Sequence, residues 1–183
     1  LRIQYMLDNA DIKDIVVSDN NDMFKDYNTY TIDKLLSDDP VCNEIVSVSE
    51  KKNPVYILYT SGSTGNPKAV VVNYKGFFNF LNTIPDIIDF KAFKTIACFT
   101  TVSFDIFFLE AVLGLSLGLT VVLADENEKN NPKNMIDLLR NHKVQLFQTT
   151  PSRLKLMATY EKSFAFLKDV QILMIGGEKL SAD

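Results

Sequence analysis

Cysteine and histidine are scarce in this sequence, and neither falls in a pattern. Cys42 and Cys98 are the only thiols among 183 residues, each alone in an apolar or mixed stretch. They make neither a disulfide framework nor a metal-type spacing, and a reducing cytoplasm is the expectation. His142 is the single histidine. It stands beside Lys143 at a predicted helix end, where the helix dipole favours a cation, so a Ser-His-Asp triad on Ser61 or Ser63 is not expected. An excess of positive charge is missing too: 19 basic against 23 acidic side chains leave a net charge of −4, against the basic surface that nucleic-acid partners require. Leu1 to Asp11 mix charged with apolar residues and hold no hydrophobic run, which argues against a signal peptide. One run, 106–124, approaches spanning length with Glu110 as its only charge. Its β-branched end after Gly118 and the acids Asp105, Asp125 and Glu126 at its borders instead predict a buried helix followed by a buried strand, and no membrane.

What is present describes a globular chain, 46% hydrophobic and 23% charged, with enough length for a sizeable core. No repeat occurs at a fixed period. Apolar runs at Val55–Tyr59, Val70–Val72, Thr95–Phe99, Thr120–Leu123, Val144–Phe147 and Val170–Ile175 predict strands, preceded by one at Ile15–Val17. Helix-length segments lie between most of them, at Tyr74–Ile84, Phe104–Leu117, Pro132–His142 and Ser152–Tyr160. The polar stretch Asn127–Asn134 reads as a loop that also starts a helix, with Asn131 as N-cap and Pro132 as first helical residue. Phe77, Phe78 and Phe80 read as a helix face packing on the sheet. Strands rich in Val, Ile and Leu and alternating with helices predict an α/β layered fold, a mostly parallel sheet flanked by helices. The chain opens inside an apparent helix (Ile3, Tyr5, Met6, Leu7) and stops where a βα turn would launch another, so both ends read as cut.

The densest cluster of chemistry follows the Val55 strand. The nine residues after Tyr59 carry the hydroxyls of Thr60, Ser61, Ser63 and Thr64, the glycines Gly62 and Gly65, and Lys68. Glycines allow close backbone approach, successive N–H groups form anion nests, and a lysine can meet phosphate. The plain alternative is a flexible Ser/Gly turn; its place after an apolar strand favours phosphate. A Walker A loop is excluded, because Pro67 stands where its second glycine belongs and Ala69 follows the lysine. Asp105, at the start of an apolar helix, is either an N-cap or a carboxylate poised for a partly desolvated ion pair. Glu178 either organises a pocket or faces solvent from a loop.

The segment VYILYTSGSTGNPKAV resembles the signature of the adenylate-forming superfamily, and specifically the amino-acid-activating adenylation domains of nonribosomal peptide synthetases, with Ala69 where glycine is usual. Phe104–Glu110 is similar to that family's substrate motif, with Phe107 where serine is usual. Gly176–Leu180 is similar to its glycine-rich turn beside adenine, and RIQYMLDNADIKDIVVSD to the stretch upstream of the phosphate loop. The resemblance covers nearly the whole chain and implies that residues 1–183 are a fragment of one large N-terminal subdomain.

By that resemblance, Thr60, Ser61, Gly62, Ser63, Thr64, Gly65 and Lys68 hold the β- and γ-phosphates of ATP, with Mg²⁺. Gly176, Gly177 and Glu178 border adenine, and Asp105 pairs with the α-ammonium of an amino acid. Ile106, Leu109, Gln148, Met174 and Gly176 line the side-chain pocket. The bulk of the four side chains other than Gly176, and the likeness of the set to glycine-activating domains, implies glycine as substrate, then alanine. The implied reaction forms aminoacyl-AMP and passes the acyl group to the phosphopantetheine thiol of a peptidyl carrier protein. The magnesium-binding glutamate and catalytic lysine of the family are absent from these residues, so the chain alone is expected to be inactive. Alternatives are an acyl- or aryl-CoA ligase, whose acid substrate has no use for Asp105, and a non-catalytic α/β nucleotide-binding module.

Overall fold

A computed structural model describes residues 2–19, 22–37, 52–61 and 66–180. The chain divides into two compact units, 1–78 and 79–183, with the boundary inside a helix.

In the first unit, α1 (Arg2–Asn9) leads to β1 (Asp14–Val17), which pairs in parallel with β2 (Asn28–Thr31) before the short α2 (Ile32–Ser37). β2 and α2 escaped the sequence reading because neither carries a run of apolar residues. β3 (Pro54–Thr60) and β4 (Lys68–Asn73) form an antiparallel pair in which Thr60 lies across from Lys68. α3 (Tyr74–Ile87) follows directly. Of the predicted phenylalanine face, Phe77 meets Tyr56 edge-on at 5.9 Å and Phe78 stacks on Tyr74 at 4.8 Å.

The second unit is built on a four-stranded parallel sheet. β5 (Thr95–Cys98) is followed by a π-turn at Phe108–Leu113 and the single turn α4 (Gly114–Ser116). Then come β6 (Thr120–Leu123), α5 (Glu126–Asn130), α6 (Pro132–Asn141), β7 (Leu146–Thr149), α7 (Pro151–Tyr160) and β8 (Ile172–Ile175). The spatial order is β6-β5-β7-β8. Successive side chains of a strand face opposite ways. Ala97 and Phe99 of the β5 segment and Phe147 of β7 therefore join Met135, Ile136, Leu139 of α6 and Met157 of α7 in one core. Ile96 and Leu146 enter a second core with Leu113, Phe90 and the half-buried Phe80, Leu81 and Ile84 of α3. Both faces of the sheet are covered, which is why its strands read as almost uninterrupted apolar runs.

Three sequence expectations are corrected. The polar stretch 127–134 is not all loop. Asp125 accepts from the Glu128 N–H while the Glu128 carboxylate accepts from the Asp125 N–H, a capping box that supports α5. β7 lies two residues later than Val144–Phe147, because the buried ladder continues through the polar Gln148 and Thr149. The helix expected over Phe104–Leu117 starts only at Ile106, winds as a π-turn and closes as α4. The cap on α6 is as expected: the Asn131 side chain accepts from the N–H groups of Lys133 and Asn134, ahead of Pro132. Among the described residues, no helix is long and apolar enough to cross a membrane.

Candidate functional site

The order β6-β5-β7-β8 contains a reversal. The chain leaves β5 for β6 on one side, then returns to place β7 on the other side of β5. Helical connections after neighbouring strands then diverge, and a crevice opens beyond the carboxyl ends of the strands. A cavity of about 520 Å³ occupies this place, within the range of small-molecule sites. Phe99 to Thr101 reach it from the end of β5, and Gln148 and Thr150 from the end of β7. Gly176, Gly177 and Glu178 enter after β8, Glu126, Lys129 and Asn130 from α5, and Arg153 from α7. Phe104, Asp105 and Ile106 close the wall.

Six residues chosen from sequence therefore meet around one space: Asp105, Ile106, Gln148, Gly176, Gly177 and Glu178. Two others are not in its lining. Leu109 packs against the core containing Leu113 and Ile96, and Met174 is a half-buried residue of β8. Of the phosphate-loop residues, Thr60 and Lys68 face each other across the ends of β3 and β4, and the Thr60 hydroxyl donates to the Lys68 carbonyl at 3.5 Å. Ser61 follows and is exposed. Gly62, Ser63, Thr64 and Gly65 lie outside the described residues.

Asp105 is exposed, and its Oδ1 accepts from the Ile106 N–H at 2.9 Å. That is a local turn contact, not the bond to the second or third helical N–H that defines an N-cap. Among the described residues, no lysine or arginine forms an ion pair with it. Cations border the same cavity: Lys129, whose side chain is only 16% exposed, pairs with Glu126 at 3.1 Å, and the Arg153 guanidinium lies 5.9 Å from the centre of the Phe99 ring.

Glu178 is tied to the N-terminus of α7. Its Oε2 accepts from the Ser152 N–H at 3.1 Å and also from the Ser152 hydroxyl. Those bonds, led by the hydroxyl, hold its carboxyl below the ordinary range. Gly177 turns the chain towards this contact at φ +81°, where a side chain would be strained.

Glu110 was noticed in the sequence only as the lone charge in an apolar run. It has no exposed surface. Its Oε2 accepts from the Thr100 N–H at 2.9 Å and its Oε1 from the Thr100 hydroxyl at 3.0 Å. Burial pushes the carboxyl up, against the opposing pull of Thr100, Cys98 and Arg153. Cys98 beneath it is pushed up to about 12, first by burial and then by Glu110, which keeps the thiol protonated and unreactive at neutral pH. Among the described residues, no group of three or more His, Cys, Asp or Glu is arranged to hold a metal ion.

Comparison with known proteins bears on the same elements. The profile of the AMP-binding enzyme family matches residues 2–183. The dimodular nonribosomal peptide synthase of Bacillus subtilis (strain 168) is 31% identical over 98% of this chain, which spans only 8% of that protein's length. Among solved structures, the nonribosomal peptide synthetase FmoA3 in its α-methyl-L-serine-AMP bound form superposes on 97% of this chain, and on 20% of its own, with a TM-score of 0.80 at 19% identity. The o-succinylbenzoate CoA synthetase of Bacillus subtilis, in complex with its acyl-adenylate intermediate, covers 98% of this chain and 47% of its own with a TM-score of 0.78 at 14% identity. Those two likenesses establish the shared fold, and the profile match along the chain establishes the kinship: this protein belongs to the AMP-binding enzyme family of the adenylate-forming superfamily.

Proposed function

We propose that this chain is part of an amino-acid-activating domain, which condenses an amino acid with ATP to aminoacyl-AMP and passes the acyl group to the phosphopantetheine thiol of a carrier protein. The observation that carries the reading is Asp105. It is a carboxylate at the wall of a cavity formed at the sheet reversal, and among the described residues no cation of the chain pairs with it. An α-ammonium is the group such a carboxylate would orient, and fixing one reactant by its charge accelerates attack of the other end on a phosphate. The similarity to nonribosomal peptide synthetases supports the same assignment. Gly176 to Glu178, beyond β8, would border the adenine, while Thr60 to Gly65 and Lys68 would hold the phosphates with Mg²⁺. Glycine is the favoured substrate and alanine the next, on the likeness of the pocket set to glycine-activating domains; of that set Ile106, Gln148 and Gly176 line the cavity.

Amino-acid-dependent ATP–pyrophosphate exchange by the full-length protein tests this. Glycine should give the fastest exchange, and a bulky amino acid ahead of it would refute the glycine assignment. Asp105→Asn should lower kcat/KM about 10- to 100-fold, the worth of one hydrogen bond to a charged group. A carboxylic acid without an amino group, activated equally well by the wild type and by D105N, would identify an acyl-CoA ligase instead.

A further inference from the structure

Asp105 sits on a loop that closes upon itself. The segment runs from Thr100, two residues past the end of β5, to Glu110 in the π-turn, ten positions on, where the carboxylate takes both the N–H and the hydroxyl of Thr100. Asp105 lies midway. Inside the closure the Phe104 N–H donates to the Thr101 carbonyl at 3.1 Å and the Phe108 N–H to the Asp105 carbonyl at 3.0 Å. The hydroxyls of Thr101 and Ser103 meet at 2.8 Å. The loop thus has internal order, and the Glu110 carboxylate joins its two ends.

We propose that Glu110 is a positioning residue for Asp105: by clasping Thr100 it fixes the loop that presents the Asp105 carboxylate to the substrate ammonium. This rests on the reading of Asp105 given above. Glu110 is the one charged side chain among the described residues that is fully buried. Burying a carboxylate is costly unless its bonds are made, so an apolar residue in the same place would serve the core better if packing were its whole task. Its element argues the same way, since π-turns cost helical regularity and recur at functional sites. Thr100 and Cys98 bond to the carboxylate and Arg153 of α7 acts on it through its charge; none of them replaces Glu110 as an acceptor for the Thr100 N–H.

The test compares two non-hydrolysable ligands on the full-length protein, glycyl-sulfamoyl-adenosine and its acetyl counterpart, which lacks only the amine. Amide exchange is followed in the protein without ligand. Wild type should prefer the amine. Glu110→Ala should erase that preference, a loss of about tenfold or more, and speed exchange over 100–105 while β7 stays protected. Glu110→Gln keeps an acceptor for the Thr100 N–H and should restore most of the preference. Thr100→Val removes only the hydroxyl bond; it leaves the fold intact should E110A fail to fold, and should cost a smaller share, about threefold. Equal weakening of both ligands, or unchanged exchange over 100–105 in E110A or, failing that, T100V, overturns the positioning role. A wild type without preference for the amine overturns the ammonium reading and the role of Glu110 with it, whereas unchanged exchange overturns Glu110 alone.

Discussion

Replacing Gly114 with alanine sets two known effects against each other. Gly114 opens α4 directly after the π-turn, and a Cβ built on it would stand 2.9 Å from Ile96 Cγ2 and 3.1 Å from Val121 Cγ2. Carbon atoms rest at about 3.5–4.0 Å, so α4 must retreat from the sheet by roughly half an ångström or one of these side chains must turn. Both are β-branched and stiff at χ1, and Ile96 has no exposed surface. Overpacking of this kind costs about 1–3 kcal/mol. Alanine in place of glycine within a helix returns about 0.5–1 kcal/mol. The clash wins, with an expected net loss of about 1 kcal/mol and an upper bound near 2.5. Urea unfolding should report it as a midpoint lowered by about 0.5 M for a slope near 2 kcal/mol/M. Gly76 is the internal control: in α3 its Cβ would meet only Asn73 Oδ1, at an ordinary 3.6 Å, so Gly76→Ala should leave stability unchanged or raise it. A G114A protein more stable than the wild type, as the helix preference alone would make it, would refute the reasoning, because it would mean that α4 is not seated on β5 and β6.

Two further substitutions test the ends of helices. Glu178→Gln weakens the bonds to Ser152 at the start of α7. The folded carboxyl titrates below its ordinary 4.5, so its contribution is present above that pH and is lost as the pH falls through the folded value. Wild type and E178Q should therefore differ in urea midpoint at pH 7 and converge below pH 4.5, and a gap that persists in acid would contradict the assignment. Asn131→Ala removes the side-chain acceptor for the Lys133 and Asn134 N–H groups and should cost about 1 kcal/mol by the same unfolding assay; no change would mean that Pro132 alone sets the start of α6.

The second unit was the more legible in sequence because its elements are large and apolar. Met135, Ile136, Leu138 and Leu139 mark one buried face of α6, and β5 and β6 stand where Thr95 and Thr120 begin their runs. β7 lies two residues beyond the run predicted for it, since hydrophobicity was the signal and Gln148 and Thr149 are buried without being apolar. Polar residues at the carboxyl end of a central parallel strand are what a site at a sheet reversal requires, so this miss fell at the cavity. β2 and α2 carried no periodic apolar pattern to read, and their place follows from pairing with β1.

The site divides along the same physical line. Asp105 and the Gly176–Glu178 turn were singled out through the family resemblance of their motifs, and they line the cavity. Phe99, Thr100, Lys129 and Arg153 were not, because nothing in their local spacing announces a shared space. They meet only because β6 and β7 flank β5 on opposite sides, an order that alternating strands and helices do not encode locally. Glu110 stands in the sequence as a single charge in an apolar run, and its partner Thr100 lies before the run and outside any helical period. A π-turn also breaks the 3.6-residue rule by which a buried helical face is recognised. The acid that looked misplaced for a regular helix is thus the feature best explained by an irregular one: the wider turn carries Glu110 inward to Thr100, and the bond it makes there closes the loop that holds Asp105.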